Sequence, residues 1–370
     1  MSELLGLIYT GNNTDQLREL TATRAVAAVP ICARYRVIDF ILSSLVSSGA
    51  RNVGVITQKN YHSLMDHLGS GKEWDLHRKR DGLFILPPFL TRDNTGLYRG
   101  TVDAIRSVMG YVRRSAQRYV ILTGSHTIYN CTYDAMLKSH IESVADVTIM
   151  YSEEKDWGDA VRYDDLRLTL GEGGRIIDLE IDPYRPKTPY RCCDAYIMEK
   201  SMLEYLIEDA AVHAYTDFMR DVLVRNVSKL KLNGYRYDGY VARLPSYFKH
   251  NMDLFNEAVR ADLFNAEHPI YTKVKDEAPT RYGADAKVKN SLLADGCIVE
   301  GSVENCILFR GVHVGQGTRL KNCIVMQASE IRENCALDYV ILDKGVQVRP
   351  GRHLAGYEGF PVTIRKGALV

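Results

Sequence analysis

Residues 295–326 read DGCIVEGSVENCILFRGVHVGQGTRLKNCIVM, and the spacing of their aliphatic side chains decides the architecture of the last quarter of the chain. Ile298, Val303, Leu308, Val314, Leu320 and Met326 recur every five or six residues, and the series continues through Ile331, Leu337, Leu342 and Val348. An α-helix repeats its face about every 3.6 residues and a lone strand about every two, so neither fits. Gly, Asn, Cys and Asp fill the places between the aliphatics (DGC, ENC, KNC, ENC). A period near six with such corner residues is the pattern of hexapeptide coils, each short face sending one aliphatic inward to stack on the coil before. A hexapeptide parallel β-helix is therefore expected over residues 284–370.

Working back from that domain, residues 252–264 (MDLFNEAVRADLF) are patterned as one amphipathic helix. AEHPIYTKVKDEAPTRYG follows, with two prolines and few aliphatics, so residues 251–283 read as helix and linker. Residues 1–250 alternate short apolar runs with amphipathic stretches, the rhythm of a βαβ sheet. Strands are expected at Leu4–Tyr9, Asn52–Thr57, Tyr119–Thr123 and Val147–Tyr151. Helices are expected at Tyr35–Ser48, at Val102–Tyr111 and around Met136–Val144. Continuous apolar runs mark parallel strands buried on both faces. The expected body is a Rossmann-like α/β domain with a mostly parallel sheet, whose ligands bind beyond the carboxyl ends of the strands.

Composition narrows the function. The 370 residues carry 47 Lys plus Arg against 46 Asp plus Glu, a net charge of +1. That balance argues against nucleic acid as the main partner, which calls for a basic excess. No apolar run approaches the roughly 18 residues of a membrane span, and MSELLGLIY lacks the basic start of a signal peptide. A cytoplasmic protein with no membrane partner is expected. Eight cysteines in 370 residues are too sparse for a disulfide framework and show no zinc spacing. Gly69-Ser70-Gly71-Lys72 fails as a phosphate loop, because Asp66 stands where its first glycine should be and Glu73 follows the lysine. His77-Arg78-Lys79-Arg80 reads as a solvated charge run, and Cys192-Cys193 as a buried strand element.

Longer segments carry more. LRELTATRAVAAVP (17–30), YRVIDF (35–40), ITQKNYHSL (56–64), YRGTVDAI (98–105), GSHTIYNCTY (124–133) and NMDLF (251–255) precede the six-residue repeats in that order. The ordered set resembles the ADP-glucose pyrophosphorylases, the glucose-1-phosphate adenylyltransferases of bacterial glycogen synthesis, over nearly the whole chain. The resemblance implies a nucleotidyltransferase domain followed by a left-handed β-helix. Tyr35, Arg36 and Asp39 are expected to serve the fold and subunit contacts.

Departures from the family pattern fall where the chemistry should be. Catalytic members carry a GGxGxRLxxLT loop, whose glycines let backbone N–H groups approach the triphosphate. Here it reads Gly11-Asn12-Asn13-Thr14-Asp15-Gln16-Leu17, with Gln16 in place of arginine and an added acid at Asp15. The family's RAKPAVP appears as RAVAAVP, with Val26 in place of lysine. The metal-holding aspartate of Gly-Asp-His is Ser125 in Gly124-Ser125-His126. A second metal carboxylate is matched by Asp238, and one carboxylate alone makes a poor Mg²⁺ site. The segment matching FVEKP, Asp178–Pro183, has no lysine. Nucleotidyl transfer depends on positioning and charge stabilisation, and each lost stabilising group costs on the order of a hundredfold in rate.

The resemblance is therefore closest to the GlgD-type regulatory subunit of Gram-positive bacteria. It implies a non-catalytic or weakly catalytic subunit that tunes a catalytic glucose-1-phosphate adenylyltransferase in a heterotetramer. The alternative is a self-sufficient enzyme making ADP-glucose and pyrophosphate from ATP and glucose 1-phosphate. No cofactor is expected, with Mg²⁺ required only if residual activity exists. Gln58, Gly100, Thr101, Asp103 and Asp238 match substrate-binding positions, and two readings stay open for them: a retained pocket, or turns of the fold. A homo-oligomer and a nucleotide or sugar-phosphate effector are further candidate partners.

Overall fold

The fold is that of a computed structural model, which describes residues 3–11, 15–88, 97–154 and 165–370. Nine strands build the main sheet: β1 (Leu4–Tyr9), β2 (Asn52–Ile56), β3 (Gly82–Leu86), β4 (Tyr119–Thr123), β5 (Val147–Glu153), β6 (Leu166–Leu170), β7 (Ile176–Ile181), β8 (Tyr190–Glu199) and β9 (Leu232–Arg236). Their order is β7-β6-β8-β4-β1-β2-β3, with β5 pairing β8 and β9. The β4-β1-β2-β3 half and the β5–β9 pair are parallel, and β8 runs antiparallel between them. Leu5, Leu7, Val120 and Leu122 feed one apolar layer; Leu4, Ile8, Tyr119 and Ile121 feed the layer on the other face. Two covered faces explain why these strands read as unbroken apolar runs.

The expected helices form, with ends set by local chemistry. The first, α1, spans Val37–Ser47, two residues later than its pattern, because Arg36 and Asp39 form a capping box. Tyr35 and Arg36 instead pair with Pro30 and Ile31 as a short antiparallel ladder. Asp39 is fully buried and also bonds His67 Nε2 (2.5 Å) and Thr272 Oγ1 (2.6 Å), tying α1 to the linker. The stretch expected as one helix from Val102 breaks at Val108 into Thr101–Ser107 and Met109–Arg114. The stretch at 252–264 breaks as well. Asn256 turns extended and its side chain accepts from Ala258 N, so the helix proper is Glu257–Leu263.

The C-terminal domain is a parallel β-helix of the left-handed hexapeptide form. Three five-stranded parallel sheets make its faces. Ser302 pairs with Arg319 and Arg319 with Ala336, so one coil takes seventeen residues in the middle of the domain. Val303, Leu308, Val314, Leu320, Ile331, Leu337, Leu342 and Val348 point into the coil core as expected. Two positions differ. Val299, not Ile298, takes the inward place, and Met326 joins Ile307, Phe309, Ile324 and Ile341 in a separate cluster against the α/β domain. One face of the β-helix is thus an internal interface. At the corners Asn290, Asn305 and Asn322 adopt positive φ and pass side-chain hydrogen bonds along the stack. No helix among the described residues is long and apolar enough to cross a membrane.

Candidate functional site

A cavity of about 340 Å³ opens beyond the carboxyl ends of β1, β2 and β4. Tyr9 and Gly11 follow β1, Gln58 follows β2, and Leu122, Thr123 and Gly124 close β4. Tyr98, Gly100 and Thr101 bring in the start of the helix at Thr101–Ser107. Asp194 and Tyr196 of β8 and Asp217–Met219 complete the wall. This is where an open α/β sheet places its ligands, because loops diverge there on a rigid base.

Of the matched positions, Gln58, Gly100 and Thr101 share this cavity. Each is also tied to the fold. Gln58 Nε2 donates to Tyr98 O (2.8 Å), and the Thr101 hydroxyl accepts from Phe218 N (3.3 Å). A side chain at Gly100 would run into the Thr216 carbonyl. The pocket reading and the turn reading therefore describe the same residues. Asp103 and Asp238 lie outside the lining. Asp103 is ion-paired with Arg99 (2.7 Å), and Asp238, three-quarters exposed, with Arg236 (2.6 Å).

Ser125 is fully buried directly after β4. Val26 is 2% exposed and belongs to the apolar cluster of Val29, Phe40 and Phe248 that faces the β-helix. Its neighbour Arg24 makes a two-point ion pair with Asp343 of the β-helix, both contacts at 2.8 Å. The RAVAAVP segment thus serves the join between the domains. The backbone of Gln16 lies in a short turn, Asp15–Leu20, while its side chain and residues 12–14 fall outside the described residues. The groups present do not fit the family's Mg²⁺: position 125 is an alcohol, Asp238 is engaged by Arg236, and no cluster of metal-ligating side chains exists among the described residues.

Asp194 and His126 did not stand out in the sequence. Asp194 interrupts the apolar strand RCCDAYIM, and a charge inside a central strand was the available signal. It takes φ 57 where the β8–β5 register breaks, and its carboxylate sits so close to Gly124 that no side chain could fit there. His126 Nδ1 lies 3.2 Å from that carboxylate. Burial, with Arg191 and Arg243 nearby, pushes the His126 pKa down to about 4, so the ring is neutral at pH 7. Below it Arg167 and Arg191 pair with Asp165 and Glu154, and Arg243 lies at 3.9 Å from Glu154.

Comparison with known proteins agrees with this architecture. A family model described as nucleotidyl transferase matches residues 5–257, and one for the GlmU-like C-terminal hexapeptide matches residues 274–358. The glycogen biosynthesis protein GlgD of Bacillus subtilis is 39% identical, covering 100% of this chain and 97% of that protein. GlgD of Geobacillus stearothermophilus is 38% identical with the same coverage. The glucose-1-phosphate adenylyltransferase of Thermomicrobium roseum is 35% identical over 96% of this chain and 84% of its own length. With a nucleotidyltransferase body, a hexapeptide β-helix and full-length similarity to both groups, the chain belongs to the glucose-1-phosphate adenylyltransferase family of nucleotidyl transferases, alongside the GlgD glycogen biosynthesis proteins.

Proposed function

We propose that this chain is a regulatory subunit of glycogen biosynthesis, non-catalytic or weakly catalytic alone, which assembles with a catalytic glucose-1-phosphate adenylyltransferase in a cytoplasmic heterotetramer. Residues 1–250 form its nucleotidyltransferase-like domain, 251–283 its helix and linker, and 284–370 its β-helix. The observation that carries the reading is the state of the substituted positions. Val26 is committed to an apolar interface and Ser125 is fully buried, so neither supplies charge to a triphosphate. A subunit of this kind acts by biasing its partner's conformational equilibrium, and couplings of about 1–3 kcal/mol are typical.

A second cleft supports an anionic effector such as a sugar phosphate. It encloses about 170 Å³ between the domains and gathers Arg34, Arg36, Lys273, Lys275 and Arg310 against Asp66 and Asp295. The excess of cations leaves this cleft positive.

The test is an ADP-glucose synthesis assay with Mg²⁺ on the chain alone, on the catalytic homologue alone, and on the mixture, with native mass measured in parallel. The chain alone should be nearly inactive, and the mixture should form a larger complex with altered kcat or effector response. Lys275→Glu should blunt the sugar-phosphate response without dissociating the complex. Robust turnover by the isolated chain would instead establish the self-sufficient enzyme.

A further inference from the structure

The cavity beyond β1, β2 and β4 carries charge of the wrong sign for a phosphate. Its described lining contributes two carboxylates, Asp194 and Asp217, and one cation, Arg99, whose guanidinium is bound to Asp103. Asp194 takes φ 57, in the left-handed backbone region that the short polar side chains of Asp and Asn enter more readily than most. That conformation presses its carboxylate against Gly124, at the floor of the cavity. Beside it a small pocket also exposes Arg191 and Arg243, whose guanidiniums face Glu154, with Asp165 on Arg191 as well. Counted with Glu154 and Asp165, Asp194 brings three carboxylates against the guanidiniums of Arg167, Arg191 and Arg243, so these described groups offer an incoming anion no net positive charge.

What the cavity offers instead is hydrogen bonding and ring surface. Thr123 lines the cavity, and its buried hydroxyl has no hydrogen-bond partner among the described residues. A buried polar group in that state points to a ligand that satisfies it. Gln58 and the two carboxylates offer further acceptors for hydroxyl groups, while Tyr98 and Phe218 supply aromatic wall. We propose that this cavity binds an uncharged polyhydroxyl ligand of hexose size, and that Asp194 is the specificity residue that turns phosphorylated sugars away. The inference rests on the non-catalytic reading of the site. It makes the chain a reporter of free sugar to its partner rather than a second consumer of glucose 1-phosphate.

Titration calorimetry with D-glucose and with glucose 1-phosphate tests it, on the full chain carrying Lys275→Glu so that the interdomain cleft does not contribute. Glucose should bind saturably at millimolar concentrations, with glucose 1-phosphate weaker by about tenfold or more. Asp194→Gly removes the charge and suits the same left-handed backbone, and should reverse that order. Asp194→Asn keeps the size and should narrow the gap. Thr123→Val should weaken glucose binding while Tm changes little. Glucose 1-phosphate binding as tightly as glucose to the Lys275→Glu chain with Asp194 intact would overturn the proposal, as would the absence of saturable glucose binding. Turnover with ATP by the chain alone would overturn the non-catalytic reading instead, so the two failures are distinguishable.

Discussion

His126 shows how one residue reads differently in sequence and in space. In Gly124-Ser125-His126 it is the retained member of a substituted motif; in the fold it is a neutral ring wedged between the Asp194 carboxylate and two guanidiniums. Its folded pKa of about 4 lies below the ordinary 6.5, so the unfolded chain binds the extra proton between those values. Its contribution to stability is therefore complete above pH 6.5 and lost as pH falls towards 4, by up to about 3 kcal/mol. A Tm profile from pH 8 to 4 should show this fall, and His126→Gln should flatten it. Asp194, beside it, is conspicuous in the sequence only as a charge within an apolar strand. Its left-handed backbone and its nearness to Gly124 go with a register break that residue order does not display.

Among the elements, those defined by long periodic patterns were legible. The β-helix faces, β1, β2 and β4 all lie where their apolar spacing put them. The misreadings are helix interruptions. The pattern at 252–264 keeps its apolar face across Asn256, yet the Asn side chain offers the backbone a cap and the helix starts afresh. In the β-helix the inward residue shifts from Ile298 to Val299, since adjacent aliphatics look alike and only the coil geometry chooses between them. The corner asparagines are elements in themselves. Asn322 sits at φ 49, accepts from Asn305 (3.3 Å) and donates to Asp338 (3.1 Å). Asn322→Val should cost about 1–2 kcal/mol for the left-handed backbone and about 1 kcal/mol more for the lost bonds. Asn322→Gly should cost only the latter, as read by urea unfolding.

At the scale of the whole molecule the two domains are locked by an apolar cluster and one buried ion pair. Arg24 and Asp343 are 2% and 0% exposed, so each depends on the other for its charge to be tolerated. Arg24→Met alone should destabilise the protein by about 3–5 kcal/mol, because a lone carboxylate stays buried. Adding Asp343→Leu should recover most of that loss in the same denaturant titration. A lysine at position 26 would have to carry its ammonium out of the cluster of Val29, Phe40 and Phe248. Val26→Lys would therefore come at the expense of the domain interface.

The sequence by itself determined the two-part architecture, the parallel strands and the hexapeptide coils. These are local patterns, set by periodicity or by the identity of single residues. Only the tertiary structure decided that Gln58, Gly100 and Thr101 meet in one cavity while Asp103 and Asp238 turn to arginines beside them. Only it showed that RAVAAVP buttresses the β-helix, and that Asp194 sets the charge of the cavity floor. The physical reason is the same in each case. Burial, ion pairing and cavity charge depend on residues far apart in the chain, and no local pattern records which of them will meet.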